Sequence, residues 1–287
     1  MNGIPMTPEL VRGVLPPRPR DGHKGTFGTA ALLCGSQDYP GAALLAAEAC
    51  LRMGAGKTVL VAPSAVLSLA LTRTPELLAR PLDTLTPQGV LSAVADASAL
   101  LVGCGWGTGE DRWQVLERLL TTSCMPLVLD ADALNVMASH RERATELLKQ
   151  TTRSVILTPH PLEFSRISGH PLPVGEEARA AEACETATLW GAVVLLKGAH
   201  SLVALPDGTL YRSPFATSAL AKGGSGDVLA GAIVSLLAAG ASPADATLAA
   251  TYLHAAAGDT LARDLSAFGV TPSDLPRTLS RLYSDLS

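Results

Sequence analysis

Short apolar runs alternate with longer segments of helical periodicity along most of the chain. Runs of this length are typical of strands buried inside a parallel sheet. They predict strands at residues 29–35, 57–61, 99–102, 127–129, 155–157 and 193–196. The intervening segments place apolar residues on one helix face, and they predict helices at residues 40–53, 64–71, 86–97, 109–123 and 176–190.

Strands that alternate with helices predict an α/β fold with three layers, in which helices cover both faces of a mostly parallel sheet. Asp207-Gly208 then separates two short apolar runs, which predicts an antiparallel hairpin at the sheet edge. Three more helices are predicted at residues 228–240, 242–262 and 273–283. We find no repeat or long linker, so we predict one domain over residues 1–287. Its proline-rich arm, residues 1–24, carries a short helix near residues 9–14.

The composition supports a large core, since 47% of residues are hydrophobic and 17% are charged. A net charge of −4 gives no electrostatic basis for binding nucleic acid or an anionic membrane. The five cysteines are widely spaced and include no C-x-x-C pair, so they indicate reduced, buried thiols and not a disulfide framework or zinc site. Without a signal-like segment or a membrane-spanning run, the chain is predicted to be soluble and cytoplasmic.

The most informative motif is Lys222-Gly223-Gly224-Ser225-Gly226-Asp227, which runs directly into an apolar helix. A glycine-rich turn at a helix start leaves backbone N–H groups unpaired and so forms an anion site. A carboxylate beside that site can accept the proton of a hydroxyl that attacks a phosphoryl group. The alternative for Asp227 is a structural role as a helix cap.

Polar residues also follow several predicted strands. They include Asp130, Asp132 and Asn135 after one strand, His160 and Glu163 after another, and Lys197-Gly198 after a third. Because ligands of open parallel sheets bind outside the carboxyl ends of strands, these residues are expected to converge. The two aspartates could instead cap the following helix, and His160 could be an ordinary loop histidine. No H-E-x-x-H, Walker loop or Cys/His cluster occurs, so we predict no metal held by protein ligands alone.

Eight segments together resemble the ADP/ATP-dependent NAD(P)H-hydrate dehydratase family over roughly residues 15 to 285. They are K-G-T-F-G (24–28), P-G-A-A (40–43), G-A-G (54–56), G-C-G-W-G (103–107), P-L-V-L-D-A-D-A-L-N (126–135), I-L-T-P-H-P-L-E-F (156–164), L-L-K-G-A (195–199) and G-G-S-G-D-V-L-A-G (223–231). The resemblance implies a ribokinase-like fold in a free-standing dehydratase without the epimerase domain of some members.

The resemblance also implies a repair reaction. The hydroxyl of hydrated NADH or NADPH would be phosphorylated from ADP or ATP, with Mg²⁺, and the phosphate would then leave. It implies catalytic roles for Asp227 and the Gly224-Ser225-Gly226 turn. The implied nucleotide-binding residues are Lys197, Gly198, Ala199, His200, Ser201 and Gly226. The implied substrate-binding residues are Gly41, Ala42, Ala43, Gly105, Gly107, His160 and Asp227.

This sequence departs from the family pattern at Cys104, where proline is usual, and at Ser225, where threonine is frequent. Lys222 either reaches a nucleotide phosphate or lies exposed, and we favour exposure. The family further implies ADP as the preferred donor, a functional link to an NAD(P)H-hydrate epimerase, and a homotetramer. Two alternatives remain from the residues: a ribokinase-like kinase of a vitamin precursor or sugar-like alcohol, and a non-catalytic nucleotide-binding module.

Overall fold

The computed structural model describes residues 3–122 and 125–286, and ten strands in this part of the chain form one sheet. The strands are β1 (Ile4–Pro5), β2 (Thr29–Leu33), β3 (Lys57–Ala62), β4 (Leu78–Pro81), β5 (Ala99–Val102), β6 (Leu127–Leu129), β7 (Val155–Leu157), β8 (Val193–Leu196), β9 (Leu202–Ala204) and β10 (Leu210–Arg212). Their order is β1-β10-β9-β8-β7-β6-β5-β2-β3-β4. From β8 to β4 all neighbours are parallel.

Twelve α-helices connect or follow these strands in the described residues. They are α1 (Pro8–Val14), α2 (Pro40–Arg52), α3 (Ser64–Arg73), α4 (Pro87–Ala93), α5 (Glu110–Thr122), α6 (Asp132–Ser139), α7 (Arg141–Gln150), α8 (Pro161–Ser168), α9 (Glu176–Trp190), α10 (Ser225–Ala238), α11 (Pro243–Gly269) and α12 (Leu275–Leu286). Short 3₁₀ turns lie at Ser218–Leu220 and Pro272–Asp274.

The sheet is buried on both faces, which confirms the three-layer prediction. Along β2, Ala30 and Leu32 pack into one core while Ala31 and Leu33 pack into the other. Helices α1 to α3 and α10 to α12 contribute to the first core, and α4 to α9 to the second. This alternation follows from the two-residue period of a strand.

The predicted hairpin is present, because β9 is antiparallel to both β8 and β10. The outermost strand is however β1, which pairs in parallel with β10 and gives the proline-rich arm a fixed place. Helix α4 is shorter than predicted and ends at Ala93. Helix α11 reaches Gly269, beyond the predicted end, and it bends at Ser266, which has a φ of +61°.

Helix α10 lies in the middle of the first helical layer and packs closely on α2. A Cβ atom added to Gly231 would lie 2.1 Å from the carbonyl oxygen of Ala46, so only glycine allows this approach. The contact fixes where α10 begins, at the carboxyl ends of the strands. Within residues 3–122 and 125–286, no helix combines the length and apolar character needed to cross a bilayer.

Candidate active site

The strand order reverses at β2, since β3 lies on one side of it and β5 on the other. In open parallel sheets a crevice forms at such a reversal, outside the carboxyl ends of the strands. The loops that follow β5, β6, β7 and β8 carry the predicted Gly105, Asp130, His160 and Lys197 to this edge. The amino end of α10 points at the same place, so the predicted convergence is confirmed for these elements.

The turn before α10 offers unpaired backbone donors. Gly224 has a φ of +101°, which lets the chain turn sharply into the helix. The N–H of Ser225 already donates to the carbonyl of Lys222 at 3.2 Å. Among the described backbone hydrogen bonds, none uses the N–H groups of Gly224, Gly226 or Asp227. The anion site therefore has these donors, whereas the N–H of Ser225 is already used within the turn.

Asp227 is not a helix cap. The N-cap residue of α10 is Gly224, and no side chain forms a cap hydrogen bond there. The Asp227 carboxyl is largely buried, and this burial together with the nearby charge of Asp130 raises its pKa to about 6. A carboxylate whose pKa lies this close to neutrality is suited to accept and release a proton.

Asp130 and Lys197 form a buried ion pair beside Asp227. Oδ1 of Asp130 accepts hydrogen bonds from Lys197 Nζ at 2.8 Å and from Thr158 Oγ1 at 2.7 Å. Burial opposes the charge of Lys197, but the charges of Asp130 and Glu163 outweigh burial and raise the Lys197 pKa. Gly226 lies against the pair, since an added Cβ atom would be 3.3 Å from Lys197 Nζ. The lysine therefore stays charged at the floor of the anion site.

A cavity of about 820 Å³ opens in front of this group. The predicted residues that line it are His160, Lys197, Gly198, Ala199, Ser201, Gly224, Ser225, Gly226 and Asp227. Three further lining atoms are buried without a hydrogen-bond partner: Ser213 Oγ, Thr251 Oγ1 and His254 Nε2. Burial lowers the His254 pKa to about 4, so this ring is neutral near pH 7. Because buried polar atoms without partners are costly, these three indicate a polar ligand.

His200 is placed differently from the other predicted nucleotide-binding residues. Its side chain borders a separate cavity of about 100 Å³, and Nδ1 lies 3.1 Å from the carbonyl oxygen of Ser213. The structure therefore does not bring the His200 imidazole into the large cavity. Adjacent Ala199 borders both cavities, so the backbone of this loop passes between them.

Most predicted substrate-binding residues lie outside the large cavity, near the start of α2. This helix begins at Pro40 without a side-chain cap, which leaves its first N–H groups available. A Cβ atom on Gly105 would lie 2.8 Å from the Cβ of Ala42, so the two segments touch. Ala43 is fully buried and could offer only backbone atoms to a ligand, while Gly41 is exposed.

The loop after β6 connects the two regions. Oδ2 of Asp132 accepts the N–H of Gly107 at 2.7 Å and so fixes the glycine-rich turn. Asn135 instead accepts a hydrogen bond from Arg166 at 2.8 Å. Ala131 has a φ of +51°, a strained conformation for a residue with a Cβ atom. Such strain is frequent at functional sites, and here it lies directly beside Asp130.

His160 and Lys222 both have structural contacts that the sequence did not indicate. His160 Nδ1 accepts hydrogen bonds from the backbone N–H groups of Leu162 and Glu163 at the start of α8. The backbone N–H of His160 in turn donates to the Glu163 carboxylate. Lys222 is half-buried, not exposed as predicted, because its Nζ donates to the carbonyls of Phe268 and Val270 at the end of α11. Lys222 therefore fixes the wall of the cavity.

The four cysteines in the described part of the chain are free and buried, in agreement with the prediction, and Cys124 lies outside the described residues. Cys104 closes the site behind the carboxylates, with its Sγ 3.8 Å from Oδ2 of Asp130. The same thiol lies beside Asp227 and partly offsets the rise of the Asp227 pKa. This position of Cys104 could not be predicted from the sequence, since Asp130 and Asp227 are distant from it along the chain.

Comparison with known proteins gives the family. The profile of the NAD(P)H-hydrate dehydratase family matches residues 30–281. The chain belongs to this family. It is 38% identical to the ADP-dependent (S)-NAD(P)H-hydrate dehydratase of Bacillus subtilis, over 96% of both chains. A crystal structure of the ADP/ATP-dependent NAD(P)H-hydrate dehydratase from the same organism, co-crystallised with ATP and Mg²⁺, matches it with a TM-score of 0.87, at 36% identity and over the full length of both chains.

A third relative in the NAD(P)H-hydrate dehydratase family is larger. The bifunctional NAD(P)H-hydrate repair enzyme Nnr of Moorella thermoacetica is 36% identical over 94% of this chain, which spans 52% of that enzyme. The resemblance seen in the sequence and the ribokinase-like fold are therefore confirmed. The family match also argues against a vitamin-precursor kinase.

Proposed function

We propose that this chain is an ADP-dependent (S)-NAD(P)H-hydrate dehydratase, a metabolite-repair enzyme that restores NADH or NADPH from the hydrated cofactor. The relative that is 38% identical over nearly the whole of both chains carries this name. The observation that supports the chemistry is Asp227, a largely buried carboxyl at a helix start beside unpaired N–H groups. A proton acceptor next to an anion site is what phosphorylation of a hydroxyl requires.

In the proposed reaction, Asp227 takes the proton from the hydroxyl group of the hydrate while the hydroxyl oxygen attacks the terminal phosphoryl group of ADP. AMP leaves. The original carbon–oxygen bond of the phosphorylated hydroxyl then breaks and phosphate departs with the bonding electrons. The neighbouring ring carbon loses a proton to solvent, the carbon–carbon double bond forms, and the reduced nicotinamide ring is restored. The free N–H groups of Gly224 and Gly226 would bind the phosphoryl oxygens in transfer, and Lys197 would stabilise their charge.

The nucleotide is proposed to occupy the 820 Å³ cavity between Lys197–Ser201 and Gly226. The orphaned atoms of Ser213, Thr251 and His254 would supply neutral hydrogen-bonding partners to it. The hydrate is proposed to approach from the α2 side, near Gly41, Gly105 and Gly107. His160, which is expected to bind the hydrate, lines the nucleotide cavity. It would therefore lie where the hydrate and the nucleotide meet.

Magnesium is proposed to enter with the nucleotide, as the ATP/Mg²⁺ co-crystal of the relative suggests. Mg²⁺ prefers oxygen ligands and retains several waters, so it needs few protein groups. The cavity lining includes Glu163, whose carboxylate is an oxygen ligand of the type that Mg²⁺ prefers. When bound, the ion would neutralise phosphate charge during transfer.

The experiment is incubation with hydrated NADPH, ADP and Mg²⁺ while the near-ultraviolet absorbance of reduced nicotinamide is followed. Recovery of the absorbance with release of AMP and phosphate is expected. Asp227→Asn should reduce turnover by about 10²–10⁴-fold and retain ADP binding. Asp259→Asn, the same change in a surface ion pair with Arg263, is the control. Full activity of Asp227→Asn would remove Asp227 from the mechanism, and absence of recovery in the native chain would refute the function.

We further propose a functional link to an NAD(P)H-hydrate epimerase. The bifunctional repair enzyme Nnr is about twice as long as the region that this chain matches, since the match covers 52% of it. The preference for ADP follows the name of the Bacillus relative. The homotetramer and the cytoplasmic location stay predictions. Competition between ADP and ATP in the same assay would test the nucleotide preference.

A further inference from the structure

One thiol and two carboxylates lie close together behind the anion site. They belong to Cys104, Asp130 and Asp227. One ligand atom from each residue lies within 4.8 Å of the other two. Cys104 Sγ and Asp130 Oδ2 are 3.8 Å apart. A thiolate at about 2.3 Å and a carboxylate oxygen at about 2.0 Å from one tetrahedral ion stand about 3.5 Å apart, so the spacing needs little adjustment.

Asp130 is already oriented for such an ion. Its Oδ1 is occupied by Thr158 and Lys197, whereas its Oδ2 faces Cys104. Hydrogen bonds that fix the far side of a ligating carboxylate are typical of metal sites, because they set its orientation. Asp130 is 1% exposed, so the orientation is also enforced by packing.

The charges of the cluster favour a cation. The carboxylates of Asp130 and Asp227 lie beside the thiol, and the ammonium of Lys197 forms a hydrogen bond with only Asp130 of these two. A carboxylate oxygen of Asp130 and one of Asp227 each lie within 4.8 Å of the Cys104 sulfur, so a cation placed among them would be attracted by both. Asp227 also lines the large cavity, which gives an ion an entry path and a position for water.

We propose that Cys104, Asp130 and Asp227 bind one thiophilic divalent cation, of the class of Zn²⁺ or Cd²⁺. On binding, the S–H bond of Cys104 breaks, a sulfur–metal bond forms, and the proton goes to solvent. Sulfur selects soft and borderline cations over Mg²⁺, so this site is separate from the nucleotide-bound magnesium. An ion held there occupies the carboxylate of Asp227 and blocks its use as a base, a consequence that rests on the proposed function.

The test is titration of the full-length, nucleotide-free protein with Cd²⁺. A thiolate-to-cadmium charge-transfer absorption should appear and saturate at one ion, and calorimetry in two buffers of different ionisation enthalpy should show release of one proton. Cys104→Ser should abolish the absorption and weaken binding by more than the about 10–100-fold that loss of an outer hydrogen-bonding partner costs. Cys184→Ser, in a buried thiol of α9, is the matched control and should bind as the native chain does.

Cys34→Ser distinguishes the neighbouring thiol from the proposed ligand, since the Cys34 side chain interacts with the Cys104 thiol. Absorption that disappears with Cys34 and persists in Cys104→Ser would overturn the proposal. Should Cys104→Ser not fold, Asp227→Asn must still weaken Cd²⁺ binding while keeping the absorption, and unchanged affinity there would also overturn it. If Cd²⁺ binds at these residues and dehydratase activity is unchanged, the proposed metal site is supported. The role of Asp227 as the base is then refuted.

Discussion

The charge state of one carboxyl, Asp227, determines what the site can do. Burial and the neighbouring Asp130 charge raise its pKa to about 6. Below that pH the carboxyl carries a proton and cannot accept another. Above it the group is ionised, and its raised pKa makes it a better base than an exposed aspartate.

The pH profile of the dehydratase reaction should follow from this value. We expect kcat/KM to fall about tenfold for each pH unit below about pH 6 and to level off above it, because the ionised fraction of Asp227 changes in that way. Initial rates measured in overlapping buffers provide the test. A flat profile between about pH 5 and pH 7 would contradict the role of this carboxyl as the base.

Thr251 allows a test of the nucleotide cavity. Its hydroxyl is buried, has no partner and lines the cavity, so Thr251→Val should remove a hydrogen bond to the bound nucleotide. The expected loss is about 0.5–1.5 kcal/mol, which is a rise of about 2–12-fold in the ADP dissociation constant. Thr247→Val is the control, since that hydroxyl bonds the Pro243 carbonyl within α11. Equal effects of the two changes would place the nucleotide elsewhere.

Among single residues, those that belong to a local sequence motif could be predicted to lie in the site. Asp227, Gly226 and Lys197 each follow a recognisable strand end or glycine turn, and all border the cavity. Thr251 and His254 were not identified because they lie inside a long helix whose other positions are ordinary core residues. The direction of the His200 side chain could not be predicted, because it depends on a contact with the carbonyl of Ser213 that no local pattern encodes.

Among the elements, α10 has the least freedom to change. Almost its whole surface is buried, and Gly231 meets the backbone of α2. The position of its first turn, and so of Asp227, depends on that contact.

Gly231→Ala should therefore destabilise the fold. An added Cβ would clash with the Ala46 carbonyl, and overpacking of this kind costs about 1–3 kcal/mol. Gly13→Ala in α1 is the control, because a Cβ there meets no atom within 4 Å and should be neutral or stabilising by up to about 1 kcal/mol. Urea unfolding measures both. A Gly231→Ala protein as stable as the native chain would show that the two helices separate easily.

The buried strands could be predicted from the sequence, because short apolar runs of this length are typical of strands inside a parallel sheet. Strand β4 was not, because Leu78–Pro81 is mostly exposed and contains arginine and proline. Strand β1 consists of only two residues, and pairing with β10 alone defines it. Helix α7 was also missed, as its charged sequence buries only Ala144, Leu147 and Leu148.

At the scale of the whole molecule, the amino-terminal arm packs against the rest of the domain and is part of its core. Met6 and Val11 are 1% and 0% exposed, and they pack into the core beside α11 and α12. The sequence indicated the short helix but not its docking, because proline-rich composition suggests only an extended chain.

Replacing Met6 and Val11 together by alanine should lower the free energy of unfolding by about 3–6 kcal/mol, from the apolar surface no longer buried. Ile4→Ala is the control, since Ile4 is 49% exposed. Chemical denaturation monitored by tryptophan fluorescence would report both. A double variant as stable as the control would mean that the arm is only loosely attached.

The ion pair of Asp130 and Lys197 constrains which sequences can encode this protein. Loss of Lys197 leaves the buried charge of Asp130 without its partner, which costs about 3–5 kcal/mol, and loss of Asp130 leaves Lys197 with only the more distant Glu163. In a random-mutagenesis library selected only for folding, with no demand for catalysis, single changes at either position should be depleted. Paired replacements by uncharged residues should survive. We therefore expect the two positions to tolerate change only together, although 67 residues of chain separate them.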